Sequence, residues 1–424
     1  MDRNLSTAGQ PVAPSGTPGT SKAFMKPRKS LPGTTKDIPK SREVRLAYGK
    51  KQSLRQILSA TGKISFTTVG EYGSARLGSW RNRLIHGDNL AALSALGRDP
   101  EIARKVTFAY LDPPFATDQQ YRSGSRRTAT VSSSRSDRLA YEDRLSSAEY
   151  LEFLRQRLLL LRELLTDSGS LYVHIGSQMA HYVRILLDEV FGRENFLNDI
   201  VRIKCNPKNF HRRAFGNIKD TVLFYSKTGR HVWNESREPM TEEEIERLFP
   251  RVDSKGRRYT TTPLHAPGET AKGPTGTAWK GMRPPRGRHW RSDPAELTQL
   301  DQQGRIEWSS RGNPRKKIYA EEIVRAGKKR QDIWAFKDPQ YPSYPTEKNL
   351  QLLETIVLAS SNPGDLVLDC FAGSGTTLIA AETHGRRWIG IDSSPLAVQT
   401  THQRLLGIEG CRAFELMKLQ QVRG

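Results

Sequence analysis

Cysteine is scarce. Cys205, Cys370 and Cys411 stand far apart in a chain of 424 residues. They exclude a disulfide framework, and without a C-x-x-C pair nothing signals zinc, so no metal is expected. Long hydrophobic runs are missing too. No stretch approaches the roughly 18–20 consecutive apolar residues of a membrane span, and the first residues lack the apolar centre of a signal peptide. A reduced, cytoplasmic setting with no membrane contact is expected. Acidic residues are outnumbered: Asp+Glu total 45 against Lys+Arg 67, a formal net charge of +22. That balance points to an anionic partner, nucleic acid foremost. At roughly 150 residues per domain, the length suits two or three domains.

The charge is segregated. Residues 1–60 hold 12 basic and 3 acidic side chains, and residues 201–340 hold 30 and 17. The remaining residues balance at 25 of each sign, so the two basic segments carry the whole excess. Lysine and arginine kept only for solubility would be spread more evenly. Localised excess suits segments that meet phosphates.

Residues 1–40 are rich in Ser, Thr, Pro, Gly and Lys with almost no periodic apolar positions, so residues 1–60 read as a basic, largely disordered arm. Between 61 and 200 strands alternate with helices: a strand at 106–111, a helix at 150–165, a strand at 170–175 and a helix near 178–192. The alternation resumes after 340, with a helix at 349–360, a strand at 365–369, a helix at 376–384 and a strand at 388–391. This pattern predicts an α/β fold, a parallel sheet wrapped by helices. Residues 201–340 are less regular. Strand-like runs at 200–203 and 221–225 precede Gly-, Pro- and Arg-rich loops with Trp279, Trp290 and Trp308. The polar stretch 116–147 is too long for a plain connection and suggests a lid or binding element.

The run Asp365-Leu-Val-Leu-Asp369-Cys370-Phe371-Ala-Gly373-Ser-Gly375-Thr376-Thr377 is a buried strand, a glycine turn and a helix start. Glycines allow a ligand close to the backbone. Asp392 follows Gly373 by nineteen residues, at the end of the next strand, where a carboxylate can take both ribose hydroxyls. The pattern F-x-G-x-G lacks the third glycine of a dinucleotide site. S-adenosylmethionine carries no phosphate, so the departure favours it as cofactor. An incidental strand–glycine–helix turn is the competing reading. Cys370 reads as a packed core thiol.

Asp112-Pro113-Pro114-Phe115 ends the strand at 106–111, and open α/β sheets place their sites at such carboxyl ends. The motif suits methylation of an exocyclic amine. Adenine N6 or cytosine N4 delocalises its lone pair into the ring and is a poor nucleophile. Two acceptors aimed at its hydrogens, the Asp112 carboxylate and the Pro113 carbonyl, draw the nitrogen toward tetrahedral geometry. Proline fixes the carbonyl direction and brings no competing N–H. Phe115 can stack on a base that has left the helix. A tight turn with no chemistry is the competing reading. Asp88, ahead of the first helix, either accepts from the cofactor's adenine amine or caps that helix. Thr346 in Tyr344-Pro-Thr346-Glu347-Lys348 is expected to cap the following helix and to contact the cofactor carboxylate. Lys348 is poorly placed for the helix dipole, which suggests a functional contact.

Together these motifs resemble the β-class DNA amino-methyltransferases, the N6-adenine/N4-cytosine group that includes modification subunits of type III restriction systems. The order is diagnostic: D-P-P-F first, a recognition region next, F-x-G-x-G last. The likeness runs from about 82 to 406 and includes Gly87-Asp-Asn89, Gly169-Ser-Leu-Tyr-Val-His174, Leu187-Asp-Glu-Val-Phe-Gly192, Asn195-Phe-Leu-Asn-Asp-Ile200 and Asn362-Pro-Gly-Asp365. It implies a Rossmann-like, S-adenosylmethionine-dependent methyltransferase sheet of seven strands, circularly permuted, with an inserted target-recognition region. In that frame 61–200 is the catalytic half, 201–340 reads DNA and 341–424 is the cofactor half. Many relatives have tyrosine at Phe115, and His and Gln at Tyr344 and Glu347. His174 and His181 read as scaffold positions.

Within 201–340, Arg212, Arg213, Arg257, Arg258, Arg286 and Arg288 are candidate DNA contacts, and tryptophan or arginine can stack on or read bases. Binding should weaken steeply with salt. The implied substrate is double-stranded DNA, methylated at adenine N6. Cytosine N4 presents the same amine and is the first alternative. A catalytically silent DNA-binding protein and a nicotinamide oxidoreductase are alternatives from other classes, disfavoured by the intact Asp112 and the missing glycine. A homodimer and a restriction subunit are the protein partners compatible with the class.

Overall fold

Val106-Thr-Phe-Ala-Tyr-Leu111 is buried at every position, as suits a β-branched and aromatic run covered on both faces of a sheet. The computed structural model describes residues 45–59, 64–74, 79–114, 119–123, 138–143, 147–207, 211, 213–270 and 272–421. Its main sheet contains β1 (Ile64–Tyr72), β2 (Asn82–His86), β3 (Val106–Leu111), β4 (Leu165–Ile175), β5 (Phe196–Ile203), β6 (Lys219–Ser226), β7 (Ile333–Trp334), β8 (Leu366–Asp369), β9 (Arg387–Asp392) and β10 (Phe414–Gln421). In space the order is β1-β10-β2-β9-β8-β3-β4-β6-β5-β7. Strands β2, β9, β8, β3 and β4 run parallel, β6 is reversed, and β5 returns to the first direction. These are the seven strands that the resemblance implied. Three more extend them, β10 and β1 at one edge and β7 at the other.

Helices cover both faces. On one lie α1 (Asn89–Leu96), α2 (Ser147–Leu164) and α3 (Ala180–Phe191); on the other lie α4 (Leu350–Ser360), α5 (Thr376–Thr383) and α6 (Pro395–Leu406). In α2 the buried Leu151, Leu154, Leu158 and Leu161 recur at helical spacing, and each contributes roughly 1.5–3 kcal/mol of burial. The register fixes the functional edge. Asp369 pairs with Tyr110 and Gly390, and Asp392 pairs with His86. The late glycine turn and the early D-P-P turn therefore leave neighbouring strands at the same end.

The structure corrects two boundaries. Composition divides the chain at 200, but β5 crosses that point and β6, buried from Asp220 onward, continues the main sheet. Counting charge averages these strands with the loops beyond them. Residues 45–59, read as part of the disordered arm, are folded: Leu54–Ser59 is helical, Leu46 and Tyr48 pack on the core, and Lys51 pairs with Glu189 at 2.7 Å. The rest of the arm, 1–44, lies outside the described residues.

Off the main sheet, Arg251–Val252, Arg258–Pro263, Pro314–Tyr319 and Ile306–Trp308 form a four-stranded antiparallel sheet. Trp279 and Trp290 fill its small core with Leu264, Leu297, Leu300 and Ile306. Expected as available to stack on bases, both are buried packing residues. Trp308 is partly exposed and stacks on Trp279 at 5.6 Å. Within 116–147, Gln119–Ser123 pairs antiparallel with Arg138–Asp143.

Candidate active site

β3 stops because Pro113 and Pro114 carry no N–H to extend its ladder. Asp112 emerges there, half-buried. Its Oδ2 is paired with the Lys348 ammonium, which also donates to the Thr346 carbonyl at 3.2 Å. Its Oδ1 is buried and has no hydrogen-bond partner among the described residues. Such an acceptor is available to a donor. Pro113 is buried and Pro114 partly exposed, while Phe115 lies outside the described residues.

The glycine turn stands beside this group, and its two glycines do different jobs. Gly373 has φ +54° and Gly375 has φ +77°, both in the left-handed region that favours glycine. A Cβ on Gly375 would fall 2.5 Å from Thr401 Cγ2, so α6 forbids one. A Cβ on Gly373 would meet nothing closer than Tyr344 Cε1 at 3.8 Å, an ordinary contact, so the turn has room for it beside that ring. The Thr401 hydroxyl donates to the Gly373 carbonyl at 2.9 Å. Arg404 donates to the Ser374 carbonyl at 2.8 Å and reaches Thr376 Oγ1 at 3.2 Å, so the Thr376 hydroxyl is engaged within the turn. Phe371 packs toward Phe153, with ring centroids 5.9 Å apart.

Asp392, expected to hold a ribose, also fastens the turn. Its Oδ2 accepts from the Gly373 amide and its Oδ1 from the Ser394 amide, both at 2.8 Å. Each oxygen keeps a second lone pair for a hydroxyl. Burial pushes this carboxyl up to about 6. Asp369 is fully enclosed at the end of β8 and accepts from the Phe371 amide at 2.9 Å. Burial, with Asp112 and Asp392 acting in the same direction, pushes it up to about 7. Its proton is therefore held more tightly in the folded chain than in the unfolded one. The stability this contributes below its ordinary value of 3.8 is lost as pH rises through about 7. Asp369→Asn keeps an oxygen for the Phe371 amide. By urea denaturation it is expected to be more stable than the parent at pH 8, with the advantage narrowing toward pH 5. An advantage independent of pH would remove this account of Asp369.

Two local expectations resolve differently. Asp88 is the N-cap of α1: Oδ1 accepts from the Ala91 amide at 2.9 Å, and Oδ2 faces Arg157 Nη2 at 3.2 Å. Thr346 does not cap α4. It has φ +63° and its hydroxyl donates to the Pro345 carbonyl, while Asn349 is the cap and accepts from the Leu352 amide at 3.3 Å. A positive φ turns Thr346 away from the helix entry and leaves the cap three residues on.

Among the candidate DNA contacts, Arg257 is committed within the fold, to Asp253 at 2.8 Å and the Tyr319 hydroxyl at 2.9 Å. Arg258 pairs with Glu246 at 2.8 Å. Arg213, Arg286 and Arg288 are exposed, and Arg212 lies outside the described residues. Sequence reasoning missed Asn89 and Arg157. Asn89 is buried and donates to the Cys370 carbonyl at 2.7 Å, tying the start of α1 to the segment that enters the glycine turn. Arg157 holds Asn89 and Asp88 from α2. An arginine inside an otherwise apolar helical stripe was the available signal. His174 is buried, as expected of a scaffold position, but it sits in a polar row with Tyr110 and Asp220 that the sequence did not reveal.

Residues 106–403 match the family model described as DNA methylase, N6_N4_Mtase. The chain belongs to this N6/N4 DNA methylase family. It is 45% identical over 329 residues to Type II methyltransferase M.EcaI of Enterobacter cloacae, covering 76% of this chain and 69% of that protein. It is 44% identical over 82 residues to DNA adenine methyltransferase YhdJ of Escherichia coli, covering 19% of this chain and 28% of that protein. Over 144 residues it is 31% identical to a probable type III restriction-modification HindVI Mod subunit of Haemophilus influenzae, covering 34% and 17%. DNA methyltransferases use S-adenosylmethionine. The residues here fit that group: a glycine turn with room for a Cβ beside the Tyr344 ring, two carboxylates at strand ends and an unsatisfied Asp112 oxygen beside them.

Proposed function

We propose that this methylase transfers a methyl group to the exocyclic amine of a flipped base in double-stranded DNA, adenine N6 in the first instance. The observation that carries this reading is the buried, unsatisfied Oδ1 of Asp112 on the strand next to the glycine turn. S-adenosylmethionine, when bound, supplies a methyl group on a positively charged sulfur. Every other contribution comes from the chain. Gly373, Phe371, Tyr344, Asp392 and the 346–348 segment line the cofactor side. Asp112 Oδ1 accepts one amine hydrogen and the Pro113 carbonyl is assigned the other, which frees the nitrogen lone pair. Lys348 holds Oδ2 and keeps the carboxylate oriented. Positioning and electrostatics of this kind supply most of the rate in such a displacement. Phe115 is assigned by its place in the motif to stacking on the base, and the 116–147 segment to covering it.

Arg213, Arg286 and Arg288, exposed on the basic region, are assigned to phosphates. A restriction system is the proposed setting, supported by the names of the relatives, and a cytoplasmic one by the reduced cysteines. Adenine is favoured by the relative named an adenine methyltransferase. Cytosine N4 is the second reading, because the family covers both. Mass spectrometry of nucleosides, after incubating DNA with isotopically labelled cofactor, tests the choice. Label in N6-methyldeoxyadenosine supports the first reading, label in N4-methyldeoxycytidine replaces it with the second, and no label in either removes both.

A further inference from the structure

A row of buried polar side chains crosses the sheet beside Asp112, and the chemistry above does not use it. The Tyr110 hydroxyl lies 2.8 Å from His174 Nδ1. His174 Nε2 faces Asp220 Oδ2 at 3.4 Å. Asp220 Oδ1 meets Lys204 Nζ at 2.7 Å, and Arg202 Nη1 stands 3.8 Å from Oδ2. Arg202 also donates to the Phe336 carbonyl at 2.8 Å and pairs with Asp338. Tyr110, His174, Asp220 and Arg202 are all buried, His174 and Arg202 completely. They come from β3, β4, β6 and β5, which are neighbours in that order.

The polarity of the row follows from its members. Burial pushes the Tyr110 phenol well above its ordinary value, so it keeps its proton and donates to Nδ1. Burial also holds His174 below its ordinary value, against the pull of Asp220. The imidazole is thus neutral, and with Nδ1 accepting from Tyr110 its proton is assigned to Nε2, on the side of Asp220. Burial pushes Asp220 up, but His174 and Lys204 outweigh it and hold the carboxyl well below the usual range.

We infer that His174 is a positioning residue, which fixes the end of β3, and with it the Asp112 carboxylate, through the Tyr110 hydroxyl. Tyr110 precedes Asp112 by two residues, so both project to the same side of the strand line. Stability alone is a poor reason for the row. Buried charged and polar groups are often matched or bettered by apolar residues of similar volume. Position is a better one. A displacement near 1 Å in a reacting group costs on the order of a hundredfold in rate. The inference rests on the reading of Asp112 as the amine acceptor.

The test compares wild type, Tyr110→Phe, His174→Leu and the double variant in steady-state methylation, with cofactor and DNA affinities and urea stability measured on each. Tyr110→Phe removes one hydroxyl, and His174→Leu leaves Asp220 paired with Lys204 and Arg202. Each single variant is expected to lose about ten- to a hundredfold in kcat. KM and both affinities should stay within about twofold, and the double variant should be no worse than His174→Leu, because the pair acts as one unit. Wild-type kcat in both folded variants overturns the inference, and so does a kcat loss matched by losses of affinity and stability. If His174→Leu does not fold, Tyr110→Phe decides alone. A wild type inactive on DNA removes the proposed function and this inference with it, whereas an active wild type with unaffected variants removes only the positioning role.

Discussion

Asp112→Ala is expected to lower kcat by roughly 10²–10³-fold, the scale found when one preorganised polar partner of a transition state is deleted. The substitution takes away Oδ1, the acceptor assigned to the amine, and leaves the Lys348 ammonium buried without its carboxylate. An uncompensated cation close to DNA attracts phosphate, so DNA affinity should hold or rise while turnover falls. Cofactor affinity should change little, because the glycine turn and Asp392 are untouched. Asp112→Asn is a sharper probe. It keeps the shape and one oxygen, but its NH2 group must face either Lys348 or the substrate amine, and both are donors. It should therefore be impaired nearly as severely. Single-turnover transfer of labelled methyl at saturating DNA separates chemistry from binding. A loss below tenfold in Asp112→Ala would sink the role given to this carboxylate.

Alanine scanned through the glycine turn should give two unlike results. Gly375→Ala places a Cβ 2.5 Å from Thr401 Cγ2 at a backbone φ of +77°. Left-handed strain of about 1–2 kcal/mol adds to overpacking of about 1–3 kcal/mol, so a large drop in urea stability is expected. Adding Thr401→Ala removes the 2.5 Å contact but leaves the Cβ of residue 401 at 3.0 Å and the backbone strain, and it gives up the hydroxyl bond to the Gly373 carbonyl, so it should restore only a small part of the loss. Gly373→Ala at φ +54° meets nothing closer than 3.8 Å. Its stability loss should be limited to the backbone term, about 1–2 kcal/mol. Its cofactor Kd should rise at least about tenfold, a difference of roughly 1.4 kcal/mol, because the new methyl takes space beside the Tyr344 ring on the proposed cofactor side. Calorimetry with S-adenosylmethionine checks the second effect and denaturant melting the first. Equal stability losses, or an unchanged cofactor Kd in Gly373→Ala, would contradict this division between the glycines.

The parts that were legible in the chain are those governed by local backbone physics. The buried run at 106–111 is a strand over those same residues because β-branched and aromatic side chains suit a strand covered on both faces. It ends where two prolines withdraw their N–H groups. The helix expected at 376–384 is Thr376–Thr383, entered from a glycine at positive φ. Readings were less secure where two outcomes share one local pattern. Asp88 before an apolar helix fits a cap or a ligand contact, and the Ala91 amide shows the cap. Thr346 looked like a cap until its own φ placed Asn349 there instead. Arginine-rich composition suggested DNA contacts, yet Arg257 and Arg258 are paired within the fold, with Asp253 four residues away and Glu246 twelve, because counting charge does not show which side chains meet.

The sequence alone determined the strand at 106–111 and its proline stop, the glycine turn into the helix at 376, and which side chains can accept a hydrogen from an amine. Those properties reside in a few consecutive residues. Tertiary structure alone decided that β8 lies beside β3, which brings the Asp112 carboxylate, the Lys348 ammonium and the Gly373 turn to one edge. It also decided that Tyr110, His174, Asp220 and Arg202 form a continuous buried row. Strand order is set by how the helices pack on each face of the sheet, and that long-range burial leaves no mark on any single segment.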